Sequence, residues 1–530
     1  MKSLKIRRLL AFILVFTLLV PGLAGCAAGS DGSMGAVSED SPDSSGVEAE
    51  GAAEYEKLFQ KDDVIDIKVN IAEEDWKSML SDPLAEEYKS ADVTVDGITI
   101  ENAGFRTKGN ISLKSVAGSD SERYSFRIKF DKYVDGQNLL GLDELVVNNM
   151  YSDASYMREY LSYEALEEIG EAVPENVFAN IYINGELYGF YLCVEAIDES
   201  FLERNFGSSG GSLYKQEQGS TLQYVEGSDY KASELKSEGD ESKADLKNFI
   251  KVLNEMPEGE KGDIESVLDV DSALKYIAAN TVLGNYDSYS GNMAQNYYLY
   301  GQEGKFTVLP WDYNMSINGF GGGGDAATIP IDEPVMGVAM ENLPLIDKLL
   351  AVEEYKERYH GYVEELLEYL EGFEARVSSL AEIIRPYVEA DPSKFVTMEQ
   401  FEASIAYSDE ADEAEKAAAN APAASGNNEA GQQPAPDVGA ESSQGGPGMG
   451  ERPALPEGGP ENGNRPQPPG GGRDTGRGGP GGGMGRMLSS SSIINFIRDR
   501  VENITKQLSG ELPTTGNTTM NNSRGFGPGK

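Results

Sequence analysis

Apolar and polar residues alternate along several short runs in the first part of the chain. Val64–Ile71 and residues 124–130 each show the period of two that is typical of a half-buried strand. Asp96-Gly97 and Asn184-Gly185 each separate two such runs, and these dipeptides favour the tight turn of a β-hairpin. Apolar residues with helical spacing occupy residues 156–169. The pattern predicts a mostly antiparallel sheet with one inserted helix.

From residue 244 onward the apolar residues recur at every third or fourth position, which is typical of helices. The predicted helical segments are residues 244–253, 267–283, 343–350 and 355–384. A hairpin predicted at residues 297–309 interrupts them and leads into Pro310-Trp311-Asp312. We therefore expect an α+β fold, in which a β-rich lobe precedes an α-rich lobe that carries a small hairpin.

A long segment near the end of the chain has a very different composition. No aromatic residue occurs between Tyr407 and Phe496, where Ala, Gly, Pro, Asn, Gln and Glu dominate. Such a segment buries too little apolar surface to offset the entropy lost on ordering. Residues 409–486 are therefore predicted to be a disordered Gly/Pro-rich insertion, and residues 513–530 a disordered tail.

A helix is predicted after this insertion, within residues 487–512. Ile493, Ile497 and Ile504 lie on one face of it. Because an exposed apolar stripe favours aggregation, we expect the helix to dock on the domain formed by residues 61–408. A separate helix that binds a partner protein is the alternative.

The first residues have the features of an export signal. Four basic residues within positions 1–8 precede an apolar run at 9–20, and Leu23-Ala24-Gly25-Cys26 resembles the lipobox of bacterial lipoproteins. We expect residues 1–25 to be a signal peptide and Cys26 to be lipidated, which would anchor the protein to the membrane on its extracytoplasmic side. A plain signal peptide or an uncleaved anchor is the alternative. The acidic, Gly/Ser-rich residues 26–60 are predicted to be a flexible stalk.

Charge and composition exclude several kinds of function. The chain of 530 residues has 44 basic and 89 acidic residues, so its net charge of −45 disfavours nucleic-acid binding. Its two cysteines and one histidine exclude a disulfide framework, a Cys/His zinc site and a Ser-His-Asp triad. Any chemistry must use carboxylates, amides, Lys and Arg, a set that suits hard cations such as Mg²⁺ or Mn²⁺.

One group of residues has the order used in phosphoryl transfer. Asp287 and Asn292 follow a predicted helix, and Asp312 follows the next hairpin. Protein kinases place their catalytic base and two metal ligands in this order. We therefore assign Asp287 as the candidate base, Asn292 and Asp312 as candidate metal ligands, and Lys129 as the candidate lysine that pairs with the phosphates.

Other features depart from the common kinase pattern. Asn285 and Tyr286 stand where protein kinases have His and Arg, and no Gly-x-Gly-x-x-Gly precedes the candidate lysine. The nearest substitute is the polar loop at residues 106–112, in which Arg106 and Lys108 would face phosphates. A surface loop with a structural arginine is an equal alternative.

Two further residues, Glu195 and Trp311, have alternative roles. Glu195 either pairs with a lysine such as Lys129 or Lys215 to orient phosphates or forms a local structural ion pair, and Glu164 is its rival for the first role. Trp311 either stacks on the adenine of ATP or belongs to the core.

Several separated blocks resemble the spore coat protein H (CotH) family of atypical, secretory-type protein kinases. The resemblance covers residues 62–408 and resumes at the final helix. The matching blocks are Arg106-x-x-Gly109-Asn110-x-Ser112, Tyr124-x-x-Arg127-Ile128-Lys129-Phe130, Met157-Arg158, Asn184-Gly185-Glu186-Leu187-Tyr188-Gly189-Phe190-Tyr191-Leu192-x-x-Glu195, Leu213-Tyr214-Lys215, Asp287-x4-Asn292 and Leu309-Pro310-Trp311-Asp312-Tyr313-Asn314.

This resemblance implies an atypical protein-kinase-like, two-lobed fold with Asp287 as catalytic aspartate and Asp312 as metal aspartate. The function expected from it is transfer of the γ-phosphoryl group of ATP, with Mg²⁺ or Mn²⁺, to Ser or Thr of a surface or coat protein. Two alternatives remain open: a non-catalytic surface or assembly protein that keeps the fold as a binding module, and nucleotidyl transfer at the same site.

Overall fold

The computed structural model describes residues 53–319, 326–408 and 492–516. The predicted signal peptide, Cys26, the stalk up to residue 52, the insertion at 409–486 and the tail beyond residue 516 lie outside the described residues. Within the described ranges, no helix combines the length and apolar character needed to cross a bilayer.

Seven strands of the first part close into a barrel in the order β1-β2-β3-β4-β5-β7-β6. Neighbouring strands are antiparallel except β1 and β6, which pair in parallel. The strands are β1 (Val64–Ile71), β2 (Lys89–Val95), β3 (Ile98–Lys108), β4 (Ser125–Lys129), β5 (Glu144–Asn148), β6 (Asn176–Ile183) and β7 (Glu186–Glu195).

The two predicted hairpin turns join β2 to β3 and β6 to β7. Asp96 and Gly97 have φ values of 44° and 83°, and Asn184 and Gly185 have 50° and 89°. A type I′ turn needs positive φ at both central residues, which Asn, Asp and Gly tolerate best. Both hairpin predictions are confirmed.

Three helices accompany the barrel strands and one follows them. They are α1 (Glu73–Ser81), α2 (Ile111–Ala117), α3 (Arg158–Glu168) and α4 (Glu199–Phe206). The predicted inserted helix is α3, which lies between β5 and β6 in the chain. Asp198 caps α4 by accepting hydrogen bonds from the backbone N–H groups of Ser200 and Phe201.

The second part contains a four-stranded sheet in the order β11-β10-β8-β9 and most of the helices. Its strands are β8 (Ser212–Gln216), β9 (Ser233–Leu235), β10 (Tyr297–Gln302) and β11 (Lys305–Pro310). Its helices are α5 (Ala244–Asn254), α6 (Val270–Val282), α7 (Pro344–Leu350), α8 (Glu353–Leu370), α9 (Phe373–Ala390), α10 (Met398–Ile405) and α11 (Ile493–Leu508). The mixed α and β composition is confirmed, and the predicted helical stretch 355–384 is divided between α8 and α9.

Two boundaries differ from those expected. Residues 54–58 form a 3-10 helix in which Tyr55 and Leu58 are buried, so the folded domain includes residues that the predicted stalk 26–60 contained. At the other end, the carbonyl of Thr514 accepts a 2.8 Å hydrogen bond from the backbone N–H of Asp332, beyond the predicted limit at residue 512. Composition alone misplaces such limits because a few buried side chains suffice to order a short segment.

Candidate functional site

A cavity of about 600 Å³ lies where three barrel strands meet loops of the second part. Its walls come from β3, β4 and β5, from β8, and from the loops that follow α6 and β11. The charged residues among its lining are Glu86, Arg106, Lys108, Lys114, Arg127, Lys215, Glu217, Glu234, Asp287 and Asp312. Both candidate aspartates and Arg106 therefore reach one cavity.

Asp287 lies in the loop after α6 and is held by two amides. Gln295 Nε2 donates to its Oδ1 at 2.7 Å, and Asn296 Nδ2 donates to its backbone carbonyl at 2.7 Å. Burial, followed by the negative charge of Asp312, raises the pKa of Asp287 to about 7. Two carboxylates that repel each other in a buried cavity favour the arrival of a cation.

Asp312 follows β11 in a left-handed backbone conformation, with φ 60° and ψ 63°. Its backbone N–H donates to Tyr163 Oη on α3 at 3.3 Å. No cluster of three or more His, Cys, Asp or Glu that could hold a metal is found among the described residues. A cation at this aspartate pair would therefore complete its shell with amide oxygens, water or phosphate, which is how Mg²⁺ is usually bound.

Basic side chains line the barrel wall of the same cavity. Arg106 on β3 stands opposite Arg127 on β4, and Lys108 stands opposite Ser125. Arg127 Nη1 pairs with Glu144 Oε2 at 2.8 Å, while its buried Nε has no hydrogen-bond partner among the described residues. Arg106 pairs with Glu86, and Lys215 on β8 pairs with Glu217 at 2.5 Å. Basic side chains thus reach the cavity, and Arg106, Arg127 and Lys215 are each paired with a carboxylate.

A chain of hydrogen bonds joins this wall to Asp312. Lys108 Nζ donates to Asn148 Oδ1 at 3.1 Å, and Asn148 Nδ2 donates to Glu159 Oε2 at 2.9 Å. Tyr163 Oη donates to Glu159 Oε1 at 3.3 Å and accepts from the backbone of Asp312. The chain spans β3, β5, α3 and the loop after β11.

Burial shifts the pKa values of two members of this chain, Lys108 and Glu159, in opposite directions. It lowers the pKa of Lys108, although the negative charges of Asp312 and Glu159 oppose that change. It raises the pKa of Glu159 to about 7, with Asp312 adding to the rise and Lys108 opposing it. In both residues burial disfavours the charged form, and strongly perturbed groups of this kind are typical of functional cavities.

Comparison with known proteins identifies the family of this chain. Residues 105–416 match the family described as CotH kinase protein. The chain belongs to the CotH kinase protein family. It is also similar to the inner spore coat protein H of Bacillus subtilis strain 168, with 27% identity over 296 residues that cover 53% of this chain and 78% of that protein. The resemblance seen in the sequence blocks is confirmed.

The segment that matches the CotH family contains most of the cavity lining, including Asp287 and Asp312. Three of the site residues predicted from the sequence, Lys129, Glu195 and Asn292, lie outside the cavity. Lys129 is the next residue after Arg127 on the same face of β4, about 7 Å farther along the strand. There it stands opposite Gly104 and pairs with Glu144 at 3.0 Å and Asp131 at 3.3 Å. Of the two lysines on β3 and β4, Lys108 rather than Lys129 lies in the cavity with the aspartates.

Glu195 is fully buried at the end of β7 and forms a local ion pair. It accepts from Tyr55 Oη at 2.5 Å, Arg204 Nη2 at 2.5 Å and the backbone N–H of Glu175 at 2.9 Å. Its rival Glu164 pairs with Arg376 at 2.6 Å. Among the described residues neither carboxylate pairs with a lysine, and Glu195 forms the local ion pair of the structural alternative.

Asn292 is exposed on the turn after Asp287 and packs beside Gly337. The amides that line the cavity in this region belong to Gln295, Asn296 and Asn314. Trp311 does line the cavity, but it is only 6% exposed and packs edge-to-face on Tyr298. It is mainly a core residue with one edge at the cavity.

Sequence patterns did not single out Asn148 and Glu159. Glu159 directly follows the Met157-Arg158 block and is the acidic residue in the first turn of α3. An acidic residue at that position normally stabilises the helix through its dipole, so the sequence position of Glu159 alone indicated no function. Arg158 itself is a structural residue, since its Nη1 pairs with buried Asp153 at 2.6 Å.

Proposed function

We propose that this protein is a kinase that transfers the γ-phosphoryl group of ATP to Ser or Thr of a surface or coat protein. The observation that carries the proposal is the meeting of Asp287, Asp312 and a basic barrel wall in one cavity. Two family findings support it: the matched family is described as a kinase, and the Bacillus subtilis relative is a spore coat protein. A kinase-like, two-lobed fold is part of the same proposal, in which the barrel and the helical part together form the ATP site.

The residues present fit ATP and a divalent cation. Carboxylate and amide oxygens are the ligands that Mg²⁺ and Mn²⁺ prefer, and the basic wall suits phosphates. The volume of about 600 Å³ is also within the usual range for a small-molecule site. When bound, the cation would neutralise charge on the phosphate oxygens.

Each residue then has a defined task. Asp287 accepts the proton of the acceptor hydroxyl, and the Gln295 amide holds its carboxylate in place. Asp312 would hold the cation. Lys108 and Arg127 bind phosphate oxygens, and Asn148 keeps the Lys108 ammonium directed along the cavity wall.

The test is the intact mass of the protein after incubation with ATP and Mg²⁺ or Mn²⁺, beside Asp287→Ala and Asp312→Ala. We expect a gain of about 80 Da per site, the mass of a phosphoryl group, which both substitutions abolish. A gain equal to a nucleotide would replace the proposal with nucleotidyl transfer. Absence of any gain, with no rise in melting temperature on adding ATP, would leave a binding module as the function.

We propose further that the protein acts at the membrane surface, outside the cytoplasm, with the lipid on Cys26 as its anchor. The lipobox-like sequence before Cys26 supports this proposal. Replacing Cys26 with Ala is expected to move the protein from the membrane fraction to the soluble fraction and to prevent incorporation of a labelled fatty acid. Retention in the membrane without that label would contradict lipid anchoring.

A further inference from the structure

Helix α11 packs directly behind the loop that carries Asp287. Gly284, which lies between α6 and Asp287, has φ +59°, and a Cβ atom there would be 2.5 Å from Phe496 Cζ. The ring of Phe496 therefore occupies the space beside Gly284, so it limits where the Asp287 loop can lie.

Arg500, one turn farther along α11, is fully buried and binds backbone carbonyls of two separate segments. Its Nε and Nη2 donate to the Thr281 carbonyl near the end of α6, at 3.1 and 2.8 Å. Its Nη1 donates to the carbonyls of Ala327 and Ile329, at 3.1 and 2.6 Å. A guanidinium has fixed donor directions, so these bonds hold the end of α6 at a set distance from residues 327–329.

The loops after α6 and β11 are also joined to each other. The backbone N–H of Ile317, shortly after Asp312, donates to the Leu283 carbonyl at 2.7 Å. Thus Arg500 fixes the end of α6, and that end fixes the loop that follows Asp312. The position of α11 is secured where the chain leaves α10, because Asn495 Nδ2 donates to the Ser408 carbonyl and its Oδ1 accepts from the Ser408 N–H.

We propose that Arg500 and Phe496 are positioning residues for the proposed phosphoryl transfer, so that α11 is a necessary part of the active site although it touches none of its cavity. The inference rests on the proposed function. It adds that residues outside the family-matched segment 105–416 are necessary for catalysis. Arg500 and Phe496 act by holding Asp287 relative to Asp312, whereas the barrel wall that binds phosphates makes no use of them. Their loss therefore affects turnover more than affinity for ATP.

The test compares Arg500→Gln with Arg498→Gln on the same helix. Arg498 is an exposed side chain whose guanidinium lies 4.0 Å from the Tyr407 ring centroid, so its substitution removes an arginine from α11 without touching α6. We expect Arg500→Gln to lower kcat about tenfold or more, because small displacements of a catalytic group are costly. KM for ATP is expected to change by less than about twofold, and Arg500→Lys to restore part of kcat. Arg498→Gln should retain wild-type values.

Hydrogen exchange of the same variants gives a second readout that needs no activity. In Arg500→Gln the peptide spanning residues 283–292 is expected to exchange faster, while peptides of the barrel strands remain as in the wild type. Equal kcat in the two variants, or faster exchange spread over the barrel, would overturn the proposal. If Arg500→Gln does not fold, Phe496→Leu takes its place with the same two readouts.

The two proposals fail in different ways. If the wild-type protein shows no transfer, the proposed function is rejected, and hydrogen exchange alone then decides whether Arg500 positions the Asp287 loop. If the wild type is active and Arg500→Gln and Arg498→Gln both equal it in kcat and in hydrogen exchange, only the positioning role is rejected.

Discussion

Two lysines on adjacent barrel strands show how much depends on the position of single residues. Lys108 lies in the cavity and is bonded to Asn148, whereas Lys129 lies farther along β4 and is paired with Glu144 and Asp131. Both are strand lysines with a carboxylate nearby. Of the two, Lys108 alone lines the cavity that contains Asp312.

Replacing these lysines in turn tests which one binds phosphates. Lys108→Met is expected to weaken ATP binding about tenfold or more, since a charge-assisted hydrogen bond to phosphate contributes about 1.5–3 kcal/mol. Lys129→Met, the matched control, should bind ATP as the wild type does. Isothermal titration with ATP measures both, and a loss in Lys129→Met alone would restore the lysine assignment made from the sequence.

Glu175 supplies a residue-scale test of stability. Burial raises its pKa to about 7, with Arg204 opposing the rise and Glu195 adding to it. A carboxyl with a raised pKa holds its proton more tightly in the folded than in the unfolded chain. Its contribution to stability is therefore present below its unfolded pKa of about 4.3 and is lost as the pH rises to about 7.

We expect Glu175→Gln to be more stable relative to the wild type at pH 8 than at pH 4.5, because the amide does not ionise. Urea unfolding at the two pH values gives the comparison, with the exposed Glu168→Gln as a control that changes stability by about 0.5 kcal/mol or less. Equal effects at both pH values would show that the raised pKa makes no contribution to folding.

Gly284 shows, at the scale of an element, why the residue that ends helix α6 must be a glycine. It follows α6 in the left-handed region and faces Phe496 of α11. Any side chain at this position would strain the left-handed backbone and collide with the Phe496 ring. The end of α6 is thereby adapted to a helix that is distant in the chain.

Gly284→Ala is expected to lower the free energy of unfolding by about 2–5 kcal/mol, the sum of a left-handed alanine and overpacking against Phe496. Gly207→Ala is the matched control, since Gly207 follows α4 with φ +67° and has no atom within 4 Å of a built Cβ. It should show the backbone part alone, about 1–2 kcal/mol. Similar losses in both variants would mean that Phe496 yields to the added methyl group.

At the scale of the whole molecule, buried Arg123 joins the barrel to the helical part. Its Nη1 donates to Asp391 Oδ2 after α9 at 2.7 Å, and its Nε donates to the Asn149 carbonyl at 3.1 Å. Both side chains are fully buried, so neither charge can be hydrated if the other is removed. This ion pair ties the end of α9 to the segment that follows β5.

Arg123→Met is expected to destabilise the protein by about 3–5 kcal/mol, because it leaves Asp391 charged and buried. The double variant Arg123→Met with Asp391→Asn should recover part of that loss, since no unpaired charge remains. Chemical unfolding of the two variants measures this coupling. A double variant no more stable than Arg123→Met would show that the hydrogen bonds to carbonyls, rather than the ion pair, hold these parts together.

Features that depend on neighbouring residues could be predicted before the fold was known. Asp96-Gly97 and Asn184-Gly185 specify their turns through local backbone sterics, and the apolar stripe of α11 specifies a face to be buried. The meeting of Asp287 and Asp312 in one cavity could be anticipated from the order in which protein kinases place their base and metal ligands.

Which side chains lie beside those aspartates depends on the packing of the whole domain. A strand pattern gives the face of Arg127 and Lys129 but not the point along β4 at which the cavity begins, and that point depends on the register of β3, β4 and β5. Glu159 likewise lies near Asp312 because α3 packs against the loop that carries Asp312. Arg500 reaches the end of α6 because α11, which is distant in the chain, packs against α6. Periodicity encodes orientation within one element, whereas distances between elements arise from packing over the whole chain.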